Sequence, residues 1–227
     1  LDGEVALALE SAHSVPRILH AGGDATGKHI EVTLSNRVCS SGIEVLEGYL
    51  ATKILVEQGE VRGVKALDCH TGSSRDFECR YLILATGGAG QLFKLTTNSE
   101  IATGDGVALA FRAGAEVVGM EFFQFHPTVL CLPGVIPFLI SEVVRGEGGI
   151  LRNAAGKRFM SEYAPQAELA PRDVMARSIA CEMERTGENH VFLDATHLPS
   201  NVITTRFPQI YRFCLKHGLD ITSELIP

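Results

Sequence analysis

No C-x-x-C pair occurs among the six cysteines Cys39, Cys69, Cys79, Cys131, Cys181 and Cys214. Their scatter fits neither a zinc knuckle nor a compact disulfide framework, and no metal site is expected. Buried free thiols in a reducing compartment, the cytoplasm, are the plain reading. Long apolar runs are also missing: charge or glycine interrupts them well short of the roughly 20 residues that a membrane span needs. No cluster of Lys and Arg offsets the formal charge of −7, which speaks against nucleic acid and anionic membrane as partners. There is no signal-peptide pattern, no internal repeat and no low-complexity segment. The chain starts on Leu1 rather than Met and stops at Pro227, so both ends read as cut. What remains is ordinary globular material: 227 residues, 45% hydrophobic and 21% charged, enough to bury a core in one large domain or two small ones.

Period-two and continuous apolar runs predict strands over residues 5–9, 17–21, 43–47, 49–56, 61–68 and 81–85. Ile30, Thr33, Leu34 and Val38 at helical spacing predict a helix over 28–39. Residues 58–60 and 70–74 read as hairpin turns. Further on, a short helix is expected over 105–115 with Asp105 as N-cap, then helices over 140–145 and 171–185, the latter with Pro171 at N1. A strand over 191–194 and a helix over 200–217, broken at Pro208, complete the outline. The class is α/β plus α+β, with a domain boundary near residue 120.

The apolar run Tyr81-Leu82-Ile83-Leu84 leads directly into A-T-G-G-A-G at 85–90. Glycines after a strand let backbone approach a cofactor, because no Cβ intervenes. A lone Gly-Gly is equally a tight turn of positive φ. The fuller string resembles the second flavin-contacting segment of two-dinucleotide-binding-domain flavoproteins. Their opening G-x-G-x-x-G turn, whose helix holds the pyrophosphate, is absent, and Gly22-Gly23-Asp24-Ala25-Thr26-Gly27 has the wrong spacing to replace it.

Four polar segments stand beside apolar residues: 10–27, 121–128, 140–149 and 168–177. Singly, each has a bland reading. His126 beside aromatics suits a hydrogen-bonded core residue. Glu142 and Arg145, three apart on a helix, suit a surface ion pair worth only about 0.2–0.5 kcal/mol. Arg172 at a helix start is a misfit, because the macrodipole disfavours cations there, and that points towards function.

In order, Q-F-H-P-T (124–128), S-E-V-V-R-G-E-G (141–148), G-K-R-F-M (156–160) and E-L-A-P-R-D (168–173) resemble the flavoprotein family of succinate dehydrogenase, fumarate reductase and L-aspartate oxidase. The resemblance runs from about Glu10 to the end. Within the family, Glu10, R-I-L-H-A-G-G-D-A-T-G (17–27) and E-L-A-P-R-D look like the L-aspartate oxidase branch. Here Ser11-Ala12 replaces that branch's usual Gly-Gly, and Ser141 keeps the hydroxyl of the alternative Thr.

The resemblance implies a partial FAD-binding domain over 1–120 and a capping domain over 121–227. It implies oxidation of L-aspartate to iminoaspartate, the first step of de novo NAD biosynthesis, with FAD as cofactor and oxygen or fumarate as acceptor. A functional link to quinolinate synthase goes with that step. By the same resemblance Arg172, Glu142 and Arg145 are catalytic, Arg172 clamping a carboxylate and passing a proton to the Glu142–Arg145 relay pair. His126 and Ser141 donate to a substrate carboxylate, and Glu10 faces the substrate ammonium. Leu50 and Ala51 contact the nucleotide part of FAD through backbone, Thr86, Gly87 and Gly88 line the flavin, and Asp105 reaches the flavin side chain. The alternatives are a succinate dehydrogenase or fumarate reductase flavoprotein, and a catalytically silent, truncated flavin- or dicarboxylate-binding module. With the pyrophosphate loop and the family's later histidine and arginine absent, the 227-residue chain alone is expected to retain little FAD and to turn over little. Absorbance of the purified chain checks this, and a yellow, stoichiometric holoprotein that oxidises aspartate overturns it.

Overall fold

A computed structural model describes residues 6–8 and 14–227. Strand β1 (Leu7–Ala8) pairs antiparallel with β2 (Ile18–Leu19), with Leu7 opposite Leu19. Helix α1 (Thr26–Cys39) follows, two residues longer at its start than its apolar spacing alone predicts. The Thr26 hydroxyl accepts the Ala21 N–H at 3.1 Å and so closes the entry to that helix. The apolar side chains Ile30, Leu34 and Val38 along α1 are exposed.

Residues Val38–Phe123 form a compact unit of their own. Its centre is an antiparallel sheet of β3 (Tyr49–Glu57), β4 (Glu60–Asp68) and β5 (Ser74–Glu78), in that order. Gln58 and Gly59 both take positive φ, 53° and 82°, which is the two-residue turn whose twist matches a hairpin. At the next turn the Asp68 carboxylate accepts the N–H groups of His70 and Thr71 at 2.8 and 3.2 Å. Helix α2 (Asp105–Arg112) is capped by Gly104 at φ 82°, so Asp105 lies in its first turn rather than at the cap. Two expected strands are corrected here. Residues 43–47 and 81–85 are not strands: no described neighbour pairs with them, and Ile43, Val45, Tyr81 and Ile83 stand exposed. An apolar run becomes a strand only where another backbone satisfies its N–H and C=O groups.

The other unit joins the described residues up to Arg37 with Gln124–Pro227. Strands β6 (Val129–Leu130) and β7 (Phe138–Leu139) make a short hairpin, followed by helix α3 (Val143–Gly146) and strand β8 (Ile150–Arg152). Helices α4 (Met160–Tyr163) and α5 (Arg172–Thr186) lead to β9 (Phe192–Asp194), which pairs with β8. Helices α6 (Ser200–Arg206) and α7 (Pro208–Lys216) form an elbow at Phe207, with Pro208 opening α7. Pro171 is the N-cap of α5 instead of its first helical residue, which makes Arg172 that residue. The core is Ile140, Val144, Leu151, Phe159, Met160, Met175, Leu193, Ile203, Phe207 and Cys214, all nearly inaccessible.

This division differs from the expected 1–120 and 121–227. The later break falls between Phe123 and Gln124, and the front section goes with the later residues. The cause is specific. Both Asp24 carboxylate oxygens accept backbone N–H groups at the start of α7, from Gln209 and Ile210, each at 3.0 Å. Gly23, at φ +73°, fits so closely against Pro208 that a Cβ would fall 2.6 Å from the proline ring. Arg206 donates to the His20 ring at 2.8 Å and reaches Glu147 at 3.3 Å. Among the described residues no helix is long and apolar enough to cross a membrane, and no group of three or more His, Cys, Asp or Glu is set to hold a metal. Because the Asp24 carboxylate caps the first turn of α7, Asp24→Ala should cost about 1–2 kcal/mol of stability. Urea denaturation measures it, with Asp24→Asn recovering part of the loss; an unchanged midpoint would contradict the capping role.

Candidate active site

The centre of the site is an ion pair, Glu142 with Arg172. Glu142 precedes α3 and is 6% exposed. Its Oε2 accepts from Arg172 Nε at 2.9 Å and its Oε1 from Arg172 Nη2 at 2.7 Å, a parallel two-bond geometry that fixes both planes. The third arm of Arg172, Nη1, donates to Gln124 Oε1 at 3.0 Å. This explains the misfit at the start of α5: the cation is held by a carboxylate that outweighs the helix dipole.

Arg145 is a second cation at Glu142, with Nη2 3.7 Å from Oε2 and a fully buried side chain. Its Nη1 donates to the Glu168 carbonyl at 2.8 Å. The pair Glu142–Arg145 is therefore buried, and the surface ion pair that the three-residue spacing also allowed is ruled out. Burial lowers the Arg145 pKa, Glu142 and Glu168 oppose that shift, and Arg172 adds to it.

His126 is half-buried, and its pKa is lowered to about 4 by burial first, then by the Arg172 guanidinium, with Arg145 adding to the effect. The Thr128 backbone hydrogen bond and Glu142 oppose the shift. Nδ1 stands 3.1 Å from the Thr128 carbonyl and 3.3 Å from the Thr128 N–H. Two neutral tautomers therefore have a partner, and the one accepting at Nδ1 presents Nε2–H as a donor. Thr128 is buried and spends its own hydroxyl proton on the Ile140 carbonyl at 2.8 Å. Ser141 Oγ accepts the Val143 N–H at 3.3 Å, which leaves its hydroxyl proton available.

The structure thus brings Glu142, Arg145 and Arg172 into one contact chain, with His126 within their electrostatic reach and Ser141 next in sequence to Glu142. Glu10 lies outside the described residues. Leu50, Ala51, Thr86, Gly87, Gly88 and Asp105 belong to the Val38–Phe123 unit. Leu50 and Ala51 are exposed on the edge strand β3. Among the described residues nothing stands within 4 Å of where a Cβ would sit on Gly87 or Gly88, and Gly87 takes φ +71°. Their backbone is open to a ligand, as a flat ring system would require. Thr86 packs onto Gly106 of α2, where any Cβ would collide with it. Asp105 is exposed and accepts the Thr103 hydroxyl at 2.7 Å. Open glycine backbone beside a helix start suits a flavin cofactor. Sequence reasoning missed Gln124 and Glu168 as site residues. Gln124 lies two before His126, a spacing that repeats one face of an extended chain, and Glu168 opens the E-L-A-P-R-D string.

The family described as FAD binding domain matches residues 1–227. An L-aspartate oxidase from Synechocystis is 46% identical across 98% of this chain and 41% of its own length. One from Acinetobacter baylyi is 42% identical across 100% of this chain and 43% of its own length. The solved quinol fumarate reductase from E. coli aligns with a TM-score of 0.86 at 31% identity, covering 100% of this chain and 41% of that one. The chain therefore spans about two fifths of these relatives.

With a pKa near 4, His126 is neutral from pH 5 upward, and its NMR titration should show a midpoint near 4 instead of near 6.5. Since the unfolded state takes up this proton first, stability should fall as pH drops from about 6.5 towards 4 and this contribution should then level off. A His126 midpoint above 6 would contradict the lowering by burial and Arg172.

Proposed function

The chain belongs to the FAD binding domain family, and on that premise we propose that it is part of a flavoenzyme that oxidises L-aspartate to iminoaspartate. The observation that carries this reading is the contact chain Arg172–Glu142–Arg145. Three ionisable groups of alternating sign run from a side chain 36% exposed to one that is wholly buried. A proton arriving at Arg172 can leave across the 2.7 Å contact to Glu142, with Arg145 stabilising the carboxylate form.

The Arg172 guanidinium, 36% exposed, suits one substrate carboxylate. The neutral His126 and the Ser141 hydroxyl add donors without adding charge. Glu10 takes the substrate ammonium, a group that succinate lacks. FAD would be held through the backbone of Leu50, Ala51, Thr86, Gly87 and Gly88, with Asp105 on its side chain. When bound, FAD supplies the two-electron acceptor for the substrate hydride, and oxygen or fumarate takes the electrons onward. Residues from about 121 onward act as a capping domain that excludes water. The six free cysteines suit the reducing cytoplasm. An imine product hydrolyses readily in water, which favours rapid use by an enzyme of the quinolinate synthase kind in NAD biosynthesis.

A second reading, a succinate dehydrogenase or fumarate reductase flavoprotein, is favoured by the TM-score of 0.86 to the E. coli fumarate reductase. Turnover of the intact flavoprotein separates the two. Arg172→Gln should lower kcat about 100- to 10,000-fold while flavin is retained. Glu10→Gln should lower kcat/KM for L-aspartate relative to succinate by roughly 100-fold. An unchanged ratio would favour the second reading.

A further inference from the structure

Behind the proton path lies a second buried carboxylate with no role in the reading above. Glu168 is 4% exposed and sits in the short turn Ala167–Leu169, which leads into Arg172. Its carboxylate accepts from Arg158 Nε at 3.1 Å and Nη2 at 2.6 Å, and Oε1 also accepts the Leu151 N–H at 3.2 Å. Its own carbonyl accepts Arg145 Nη1 at 2.8 Å. One residue thus ties strand β8, Arg158 and the buried Arg145 to the turn that delivers Arg172. The neighbouring Ala167 is held at φ 48°, a left-handed conformation that an alanine adopts only where its surroundings impose it.

We infer that Glu168 is a positioning residue for the Arg172–Glu142–Arg145 path. Clamped through its carboxylate by Arg158 and the Leu151 N–H, it sets its carbonyl against Arg145 and fixes the turn that aims Arg172 at Glu142. The charged and titratable groups facing Arg145 are Glu142, Arg172 and His126, together with Glu168, which is itself paired to Arg158. The negative charge of Glu168 favours the protonated form of Arg145, so its loss lets the path release its proton at lower pH.

This inference rests on the proposed oxidation, and its test uses the intact flavoprotein with L-aspartate. Glu168→Gln should lower kcat about tenfold or more, by misplacing the path. It should change KM by less than about twofold, because no substrate contact is removed. The rising limb of the kcat–pH profile should move down by roughly half a unit or more. Arg158→Gln keeps the carboxylate and removes its clamp. It should lower kcat with a smaller movement of the profile, and it decides the matter should Glu168→Gln fail to fold. Glu182→Gln is the control: Glu182 is equally buried but bonds Asn153, Tyr163 and Arg185, away from the path. It should lower the melting temperature and leave the profile in place. A wild-type kcat and profile in Glu168→Gln, or an equal displacement in Glu182→Gln, overturns the positioning role. Should Arg172→Gln keep its turnover, the oxidation reading itself fails; should it lose turnover while Glu168→Gln does not, only the positioning role falls.

Discussion

Arg145 has no exposed side-chain surface, and a guanidinium in that position is intolerable without a counter-charge. Glu142 supplies it, and the same carboxylate is needed a second time, by Arg172. Sharing one anion between two cations leaves the local sum positive. Burial first, and then that surplus, disfavour a further cation, so the imidazole of His126 stays uncharged close by. Removing one partner of such a buried pair generally costs about 3–5 kcal/mol, because the remaining charge stays where water cannot reach it. The arrangement is thus rigid for the same reason that it is costly: each charge is where it is because another requires it.

Much of this was legible in the linear order of residues, and the rest fails for identifiable reasons. Turn chemistry read well: Gln58-Gly59 between alternating strands forms the hairpin, and Pro208 splits the last helical stretch at the elbow. Arg172 declared itself by standing where a helix repels cations. Apolar periodicity misled at 43–47 and 81–85, since a pattern reports which side chains avoid water and not whether a second backbone lies alongside. The partners of Gln124 and Glu168 could not be read from the sequence: Arg172 and Arg145 are 48 and 23 residues away. Contacts of that range are products of the fold and leave no trace in a short window.

The two compact units differ in what they present. One concentrates titratable groups on short helices and turns packed against an apolar centre. The other offers open main chain at Gly87 and Gly88 and an edge strand at β3. Proton movement needs fixed dipoles and partners of graded affinity, whereas holding a flat ring needs an unobstructed backbone.

The carboxylate of Asp24 meets Gln209 and Ile210 across 185 and 186 positions of sequence, with the whole Val38–Phe123 unit spliced between them. Local helix-forming tendency alone cannot complete the first turn of α7, whose N–H groups wait for a residue made long before it on the ribosome. A junction of such high contact order belongs among the slow, late events of folding. A chaperone or protease that samples nascent chains therefore meets this elbow uncapped until the front of the molecule comes back to it.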